Sequence, residues 1–151
     1  MEIDIPLKNR KYFSITSLWL LIPIIKSYNI DYILHINLIF NFIFSILHWY
    51  KYKNNSIYHK LDKLFSSNTI LIIYYNSYND IYIYIMLFFM YYTLKEGRIH
   101  LMNAVYNKHL VYHIIFRYFA FWTCCIYLNH IDIELFLYYS VLYTGTTIQL
   151  L

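Results

Sequence analysis

The sequence predicts an all-α protein: a polytopic bundle of about six transmembrane helices, with both termini on the positive, inner side of the membrane. Three observations predict this fold class. The 151 residues are 60% hydrophobic and 13% charged, whereas soluble domains carry about 25% charged residues. Only two glycines and two prolines are present, which leaves little turn chemistry for a β-rich fold. The apolar runs approach the roughly 20 residues that a transmembrane helix needs.

Six apolar segments follow one another along the chain, and in lipid each is expected to be a helix because its backbone must satisfy its own hydrogen bonds. They are residues 13–28, 32–50, 62–78, 80–95, 104–128 and 133–149. The first segment is short and interrupted by Pro23 and Lys26, so it is expected to tilt, kink or lie partly in the interface. The third and fourth meet at Asn79 and Asp80, which predicts a tight helical hairpin.

The charged residues test this segment count independently. The connections predicted to be inner carry the lysines and arginines Lys8, Arg10, Lys11, Lys51, Lys53, Lys60, Lys63, Lys95, Arg98 and Lys108. The connections predicted to be outer carry the acidic residues Asp31, Asp80, Asp132 and Glu134, and Lys26 is the one lysine or arginine near them. The positive-inside rule gives this alternation for six helices with both termini inside. Without an internal repeat or a break in composition, we expect one domain, residues 1–151, in an integral, multi-pass membrane protein.

Other classes of function have less support in the sequence. The net charge of +4 is scattered, and no basic block with interleaved aromatic residues predicts nucleic-acid binding. Cys124 and Cys125 are adjacent within an apolar run, so we expect them to pack as small hydrophobic residues rather than to form a disulfide or a redox site. The N-terminus has no small-residue cleavage site after its first apolar run, so no removable signal peptide is predicted.

Polar residues that the topology places at the inner membrane face suggest a metal site. His109 and His113 are four residues apart and therefore stack on one helix face, which is the spacing of two ligands of one ion. Ser45 lies one turn before His48 at the end of the second helix, and Asp62 is expected to begin the third. Three helix ends at one depth thus offer three imidazoles, a carboxylate and a hydroxyl, and polar residues at membrane depth often mark function.

Such a set suits zinc-dependent hydrolysis. Three histidines hold Zn²⁺ and leave a fourth position for a water molecule, whose pKa then falls to about 7. A carboxylate that is hydrogen-bonded to this water accepts its proton during attack on a carbonyl, and a hydroxyl stabilises the developing oxyanion. His48, His109 and His113 are the candidate metal ligands, and Asp62 and Ser45 are the candidate catalytic residues.

The order of these residues resembles the CREST superfamily, which includes the alkaline ceramidases and the adiponectin and progestin receptors. The matching positions are Ser45 and His48 in "SILH", Asp62 in "HKLD", and His109 and His113 in "HLVYH". The resemblance implies helical membrane proteins with zinc held by three histidines near the inner surface, several of them lipid amide hydrolases. It implies that the three histidines bind zinc, Asp62 holds the zinc water and Ser45 lies beside it.

The sequence departs from that pattern in two respects, and other interpretations stay open. The family usually places the serine four residues before the histidine and has seven helices, whereas here the spacing is three and six helices are predicted. An i, i+4 histidine pair also arises by chance in a chain with seven histidines. His59, His35, His100 and His130 are interpreted as interfacial loop histidines. Arg117 is interpreted as a snorkelling or paired residue, with contact to an anionic substrate as the alternative.

Two functions are consistent with this pattern. One is a zinc-dependent hydrolase that acts on the amide or ester bond of a lipid. The other is a non-catalytic structural membrane subunit of a larger assembly, such as a virion or an organellar complex, whose aromatic surface faces partner subunits and whose histidines are incidental.

Overall fold

A computed structural model of the chain describes residues 5–51, 56–77, 79–128 and 141. The elements formed by these residues are all helical: α1 (Leu7–Thr16), a 3₁₀ turn (Ser17–Leu20), α2 (Leu21–Ser27), α3 (Tyr32–Tyr50), α4 (Ile57–Asn76), α5 (Ile81–Met102) and α6 (Tyr106–Tyr127). The predicted all-α class is therefore confirmed for the described part of the chain. Apart from Val141, the predicted segment 133–149 lies outside it, as do His130 and the two acidic residues that follow.

Two of the described helices, α3 and α6, are long and apolar enough to cross a membrane. They correspond to the predicted segments 32–50 and 104–128, and the bounds of α3 agree with the prediction at both ends. The structure thus supports two candidate spans by length and composition. Six spans and the position of both termini stay predictions.

The first predicted segment forms three short helical pieces instead of one helix. It begins at Leu7, before the predicted start at residue 13, and a 3₁₀ turn separates α1 from α2. Pro23 has no N–H to donate to the carbonyl of Trp19, four residues earlier, and its ring crowds that carbonyl. Trp19 lies within the 3₁₀ turn, so the interruption that was predicted from Pro23 occurs one turn before it.

The chain divides into two compact units, Met1–Asp80 and Ile81–Leu151. In unit 1, α3 packs against both the first helical segment and α4. The ring of Phe13 stacks on Trp49 with centroids 4.0 Å apart. In unit 2, α5 packs along α6. The single domain predicted from the sequence stays a prediction.

The exposed face of α3 is apolar, and its buried face is partly polar. Its exposed side carries large apolar residues at helical spacing: Ile33, Ile36, Phe40 and Ile43. Its buried side carries Leu34, Leu38 and Trp49 together with a row of polar residues at helical spacing: Asn37, Asn41, Ser45 and His48. Amphipathic helices of soluble proteins bury the apolar stripe, so this arrangement suits an apolar solvent around unit 1.

Hydrogen bonds between α3 and α4 satisfy much of this polar face. The Asn37 amide donates from Nδ2 to Thr69 Oγ1 (2.6 Å) and to the carbonyl of Phe65 (2.9 Å). One turn further along α3, Ser66 Oγ donates to Asn41 Oδ1 at 3.0 Å. Burying these groups without partners would be costly, so the polar row on α3 specifies the face against which α4 packs.

Unit 2 is a helical hairpin whose two helices approach closely at Gly97. A Cβ atom on Gly97 would lie 3.3 Å from Tyr112 Cβ and 3.5 Å from His109 Nδ1. Aromatic contacts extend the packing toward the other end of the hairpin, where Phe89 stacks on Phe119 with centroids 5.1 Å apart. The missing side chain at Gly97 therefore permits this distance between α5 and α6.

Helix α4 starts earlier than predicted, and the prediction that Asp62 begins it is wrong. Ser56 caps α4, because its side chain accepts a hydrogen bond from the backbone N–H of His59 at 3.2 Å. Asp62 consequently lies in the second turn. Likewise α5 continues to Met102 and includes Lys95, which was assigned to a connection. Apolar runs locate the part of a helix that suits the hydrocarbon core, whereas the cap sets where the helix begins.

Candidate metal centre

The half of the candidate site in unit 1 lies on the buried face of α3. Ser45 is fully buried and His48 is 3% exposed, one turn apart. The Ser45 hydroxyl is hydrogen-bonded to the hydroxyl of Ser17, with 3.0 Å between the two oxygens. The side chain assigned to oxyanion stabilisation is therefore engaged in a contact that joins α3 to the 3₁₀ turn.

His59 lies directly beside His48. The two imidazole centroids are 4.5 Å apart and their planes make an angle of 62°. The sequence-based interpretation of His59 as a loop residue is wrong, because Ser56 starts α4 early enough to put His59 in its first turn. The Nδ1 atom of His59 is buried and has no hydrogen-bond partner among the described residues. The signal in the sequence for this early start was Ser56, since serine is a preferred N-cap residue.

The environment of His59 favours its neutral form. Burial lowers the pKa of His59 below its usual value, and the positive charge of Lys63 lowers it further. Neutral imidazole is the form that binds metal ions. At neutral pH His59 is thus in the protonation state of a ligand.

Asp62 follows His59 by three residues on α4, so the two side chains share a helix face. The carboxylate atom Oδ1 of Asp62 is buried. His48, His59 and Asp62 all belong to unit 1. Asp62 therefore lies on the same helix as His59, a histidine that was not among the predicted metal ligands.

In unit 2, the geometry of His109 is that of a histidine ligand. His109 is 8% exposed, and its Nδ1 lies 2.8 Å from the carbonyl oxygen of Gly97 on α5. A carbonyl oxygen only accepts, so Nδ1 carries the proton and donates it. The lone pair of the neutral ring is then on Nε2. Metal-binding histidines are commonly oriented in this way by a backbone carbonyl.

His113 is positioned differently. Arg117, one turn further along α6 and 6% exposed, donates from Nε to His113 Nε2 at 3.3 Å. The Nε2 atom of His113 therefore accepts a hydrogen bond from Arg117, and metal binding at this atom would require Arg117 to move. The His109 and His113 centroids are 6.2 Å apart, close to the limit of about 6.4 Å for two imidazoles bound to one ion at about 2.0–2.1 Å. The tautomer of His109 is the one common among histidine ligands, whereas His113 Nε2 accepts a hydrogen bond from Arg117.

Within residues 5–51, 56–77 and 79–128, no group of three or more His, Cys, Asp or Glu side chains is placed to hold a metal ion. His48 belongs to unit 1, whereas His109 and His113 belong to unit 2. The convergence of these three histidines on one zinc ion therefore stays a prediction.

Two further histidines that were interpreted as loop residues lie within helices. His35, on α3, donates from Nδ1 to the carbonyl of Ile24 at 2.8 Å. His100, on α5, stacks on Tyr112 with ring centroids 5.3 Å apart. Both therefore contribute to helix packing. Cys124 and Cys125 are free and buried, as expected of packing residues.

Comparison of the chain with protein families, with curated proteins and with solved structures finds no match. The resemblance to the CREST superfamily consequently stays a prediction that rests on five residues.

Proposed function

We propose that this chain is a multi-pass integral membrane protein that binds zinc through His48, His109 and His113 and hydrolyses an amide or ester bond of a lipid. Its partners in this proposal are membrane lipids, one of which is the substrate. The proposal has two parts, membrane insertion and metal-dependent chemistry, and different observations support them.

Membrane insertion is supported by the polarity of α3. A stripe of Ile and Phe side chains faces outward, while asparagine, serine and histidine are buried together with two leucines and a tryptophan. Large exposed apolar surfaces on proteins mark interaction with a membrane or with another protein. Since α3 and α6 are also long enough to cross a bilayer, lipid is the solvent that best accounts for this surface.

The observation that carries the metal-dependent part is the hydrogen bond from His109 Nδ1 to the Gly97 carbonyl. It orients a buried imidazole and, in the neutral ring, places the lone pair on Nε2, as in many histidine ligands of zinc. His48 is the buried candidate ligand of unit 1. His113 would complete the set once its Nε2 is released by Arg117.

Zinc in such a site would supply an acidified water and polarise a carbonyl group. Asp62 has the role of proton acceptor, since a carboxylate within hydrogen-bond reach of a water can act as a general base. Ser45 has the role of a donor to the substrate oxygen, for which its hydroxyl must exchange its contact with Ser17.

A second candidate function is that of a structural membrane subunit without a metal. The contacts of Ser45 with Ser17 and of His113 with Arg117 favour it. They show two of the candidate site residues engaged in helix packing. In this function the exposed aromatic residues of α5, such as Phe88 and Tyr91, face partner subunits.

Metal analysis separates the two candidates. The full chain, purified in detergent, is expected to contain about one zinc per molecule, and the double variant His109→Ala/His113→Ala is expected to retain much less. The matched control is His100→Ala, which removes a histidine of α5 that stacks on Tyr112 and is expected to retain zinc. Equal zinc in all three proteins, or zinc in none of them, would contradict the proposal, and the second result would favour the structural subunit.

Hydrolysis is tested separately on a panel of lipids with amide-linked and ester-linked acyl chains. Asp62→Asn is expected to lower turnover at least 100-fold, since general-base catalysis contributes roughly 10²–10⁴, while zinc content stays the same. Turnover that is unaffected by this substitution would exclude Asp62 as the base. Absence of turnover on every lipid, with zinc present, would leave metal binding and reject the hydrolase.

A further inference from the structure

We propose that His59 binds a metal ion together with His48, so that the ends of α3 and α4 carry a two-histidine metal site. The proposal rests on the proposed function for its use of His48, and it adds a ligand from unit 1 that does not depend on His109 or His113. The ligand class is a divalent late transition-metal ion, Zn²⁺ or Cu²⁺, because imidazole nitrogens prefer these ions.

The distance between the two rings suits a shared ion. With metal–nitrogen bonds of about 2.0–2.1 Å, two imidazoles on one ion have centroids about 4.5 Å apart at a right angle and about 5.2 Å apart at a tetrahedral angle. The His48 and His59 centroids are 4.5 Å apart. Small rotations of the two side chains therefore span the range of common coordination angles.

The burial of His59 Nδ1 gives a second, independent reason. This atom is enclosed and has no hydrogen-bond partner within the part of the chain that the structure describes. Leaving a buried polar atom unsatisfied is destabilising, and a bound ion is one of the groups that explain such an atom in a native protein. An edge-on packing contact between the two rings would leave this cost in place.

The surroundings of the pair suit a bound cation. Asp62 lies one turn after His59 on α4, where its carboxylate can accept a hydrogen bond from a ligand or from a metal-bound water. Because two protein ligands do not fill a coordination sphere, water completes it.

The test uses the full chain in detergent and measures Zn²⁺ affinity by competition with a chromophoric chelator. His59→Gln is expected to weaken Zn²⁺ binding at least tenfold. His100→Ala, the matched histidine control, is expected to leave affinity unchanged. In the His109→Ala/His113→Ala background, weaker binding is expected to remain and to disappear when His59→Gln is added.

A second measurement uses the unmodified chain, so that its result does not depend on whether the variants fold. Modification of histidines by diethyl pyrocarbonate, followed by mass spectrometry, is expected to show that Zn²⁺ protects His59 and leaves His100 as reactive as before. Protection of neither residue, or of both equally, would overturn the inference.

The outcomes also distinguish this inference from the proposed function. If His59→Gln binds Zn²⁺ normally while the His109 and His113 substitutions abolish binding, the inference is wrong and the proposed function stands. If Zn²⁺ affinity is unchanged by the His109 and His113 substitutions but requires His59, the three-histidine site is wrong and the two-histidine site stands. If the unmodified chain binds no Zn²⁺, both are wrong.

Discussion

Individual hydrogen bonds determine which atoms of this chain are available for chemistry. The Gly97 carbonyl fixes the tautomer of His109, and the Arg117 guanidinium engages the Nε2 atom of His113. These two histidines have the same sequence signature and nevertheless differ in their readiness to bind an ion. The i, i+4 spacing predicted that they share a face, but their partners lie at other positions on α5 and α6 and follow no local pattern.

A residue-scale prediction concerns the bond between Asn37 and Thr69. Thr69→Val and Asn37→Leu are each expected to lower the free energy of unfolding, and the double-mutant cycle is expected to give a coupling of about 0.5–1.5 kcal/mol. This is the range for buried hydrogen bonds between membrane helices. Unfolding is measured by denaturant titration in detergent.

The matched control is Thr93→Val, because Thr93 Oγ1 donates to the carbonyls of Phe89 and Met90 in its own helix. We expect this substitution to show no coupling with Asn37→Leu. A coupling near zero for Asn37 and Thr69 would show that their 2.6 Å contact contributes nothing to the stability of unit 1.

At the scale of elements, apolar runs predicted that helices exist and gave the bounds of α3, while helix ends followed other rules. The start of α4 depends on the Ser56 cap, and a cap acts through one backbone N–H. It therefore leaves no mark on the hydrophobic pattern. This difference moved His59 from a predicted loop into a helix and placed it beside His48. The element boundary thus changed the composition of the candidate site.

The close approach of α5 and α6 gives the element-scale prediction. Gly97→Ala is expected to be nearly neutral, since only Tyr112, whose Cβ would lie 3.3 Å from the added carbon, must shift by a few tenths of an ångström, and alanine favours a helix by about 1 kcal/mol over glycine. Gly97→Leu is expected to destabilise the protein by about 1–3 kcal/mol through overpacking. Thermal unfolding in detergent compares the two.

Gly97→Ala is itself the matched control for Gly97→Leu, because both substitutions remove the flexibility of glycine and only the second adds bulk. Equal stability of the two variants would show that the hairpin does not depend on the small residue. A clear destabilisation by Gly97→Ala would show that Tyr112 cannot adjust.

At the scale of the whole molecule, composition was sufficient to predict the all-helical class. The alternation of charged residues predicts a six-helix topology, which stays a prediction. Two helices that are able to span a bilayer are seen, in the places predicted. The assembly of one site from His48, His109 and His113 depends on how distant segments meet. The periodicity of apolar residues shows which face of a helix is apolar. It does not show which other helix packs against that face, so it could not predict how these segments meet.

The topology is testable with single cysteines at exposed positions, in a chain whose Cys124 and Cys125 are replaced by alanine. Lys51→Cys and Asn103→Cys are expected to react with a membrane-impermeant maleimide from one side of the membrane, and Asn29→Cys and Asn79→Cys from the other. The positive-inside rule predicts this alternation.

Sealed vesicles of known orientation provide the measurement, and permeabilised vesicles are the control in which all four cysteines should react. Labelling of all four positions from one side of intact vesicles would reject the predicted crossings. If only Asn29→Cys and Lys51→Cys, which flank α3, are labelled from opposite sides, fewer helices cross the membrane than predicted.

The inward polar row on α3 has a consequence for the biogenesis of the protein. A helix that exposes Asn37, Asn41 and Ser45 to hydrocarbon would partition poorly from the translocon into the bilayer by itself. Thr69 and Ser66 on α4 supply hydrogen-bond partners for the two asparagines. We therefore expect α3 to wait at the translocon until α4 has been synthesised, and the two helices to enter the lipid as a pair.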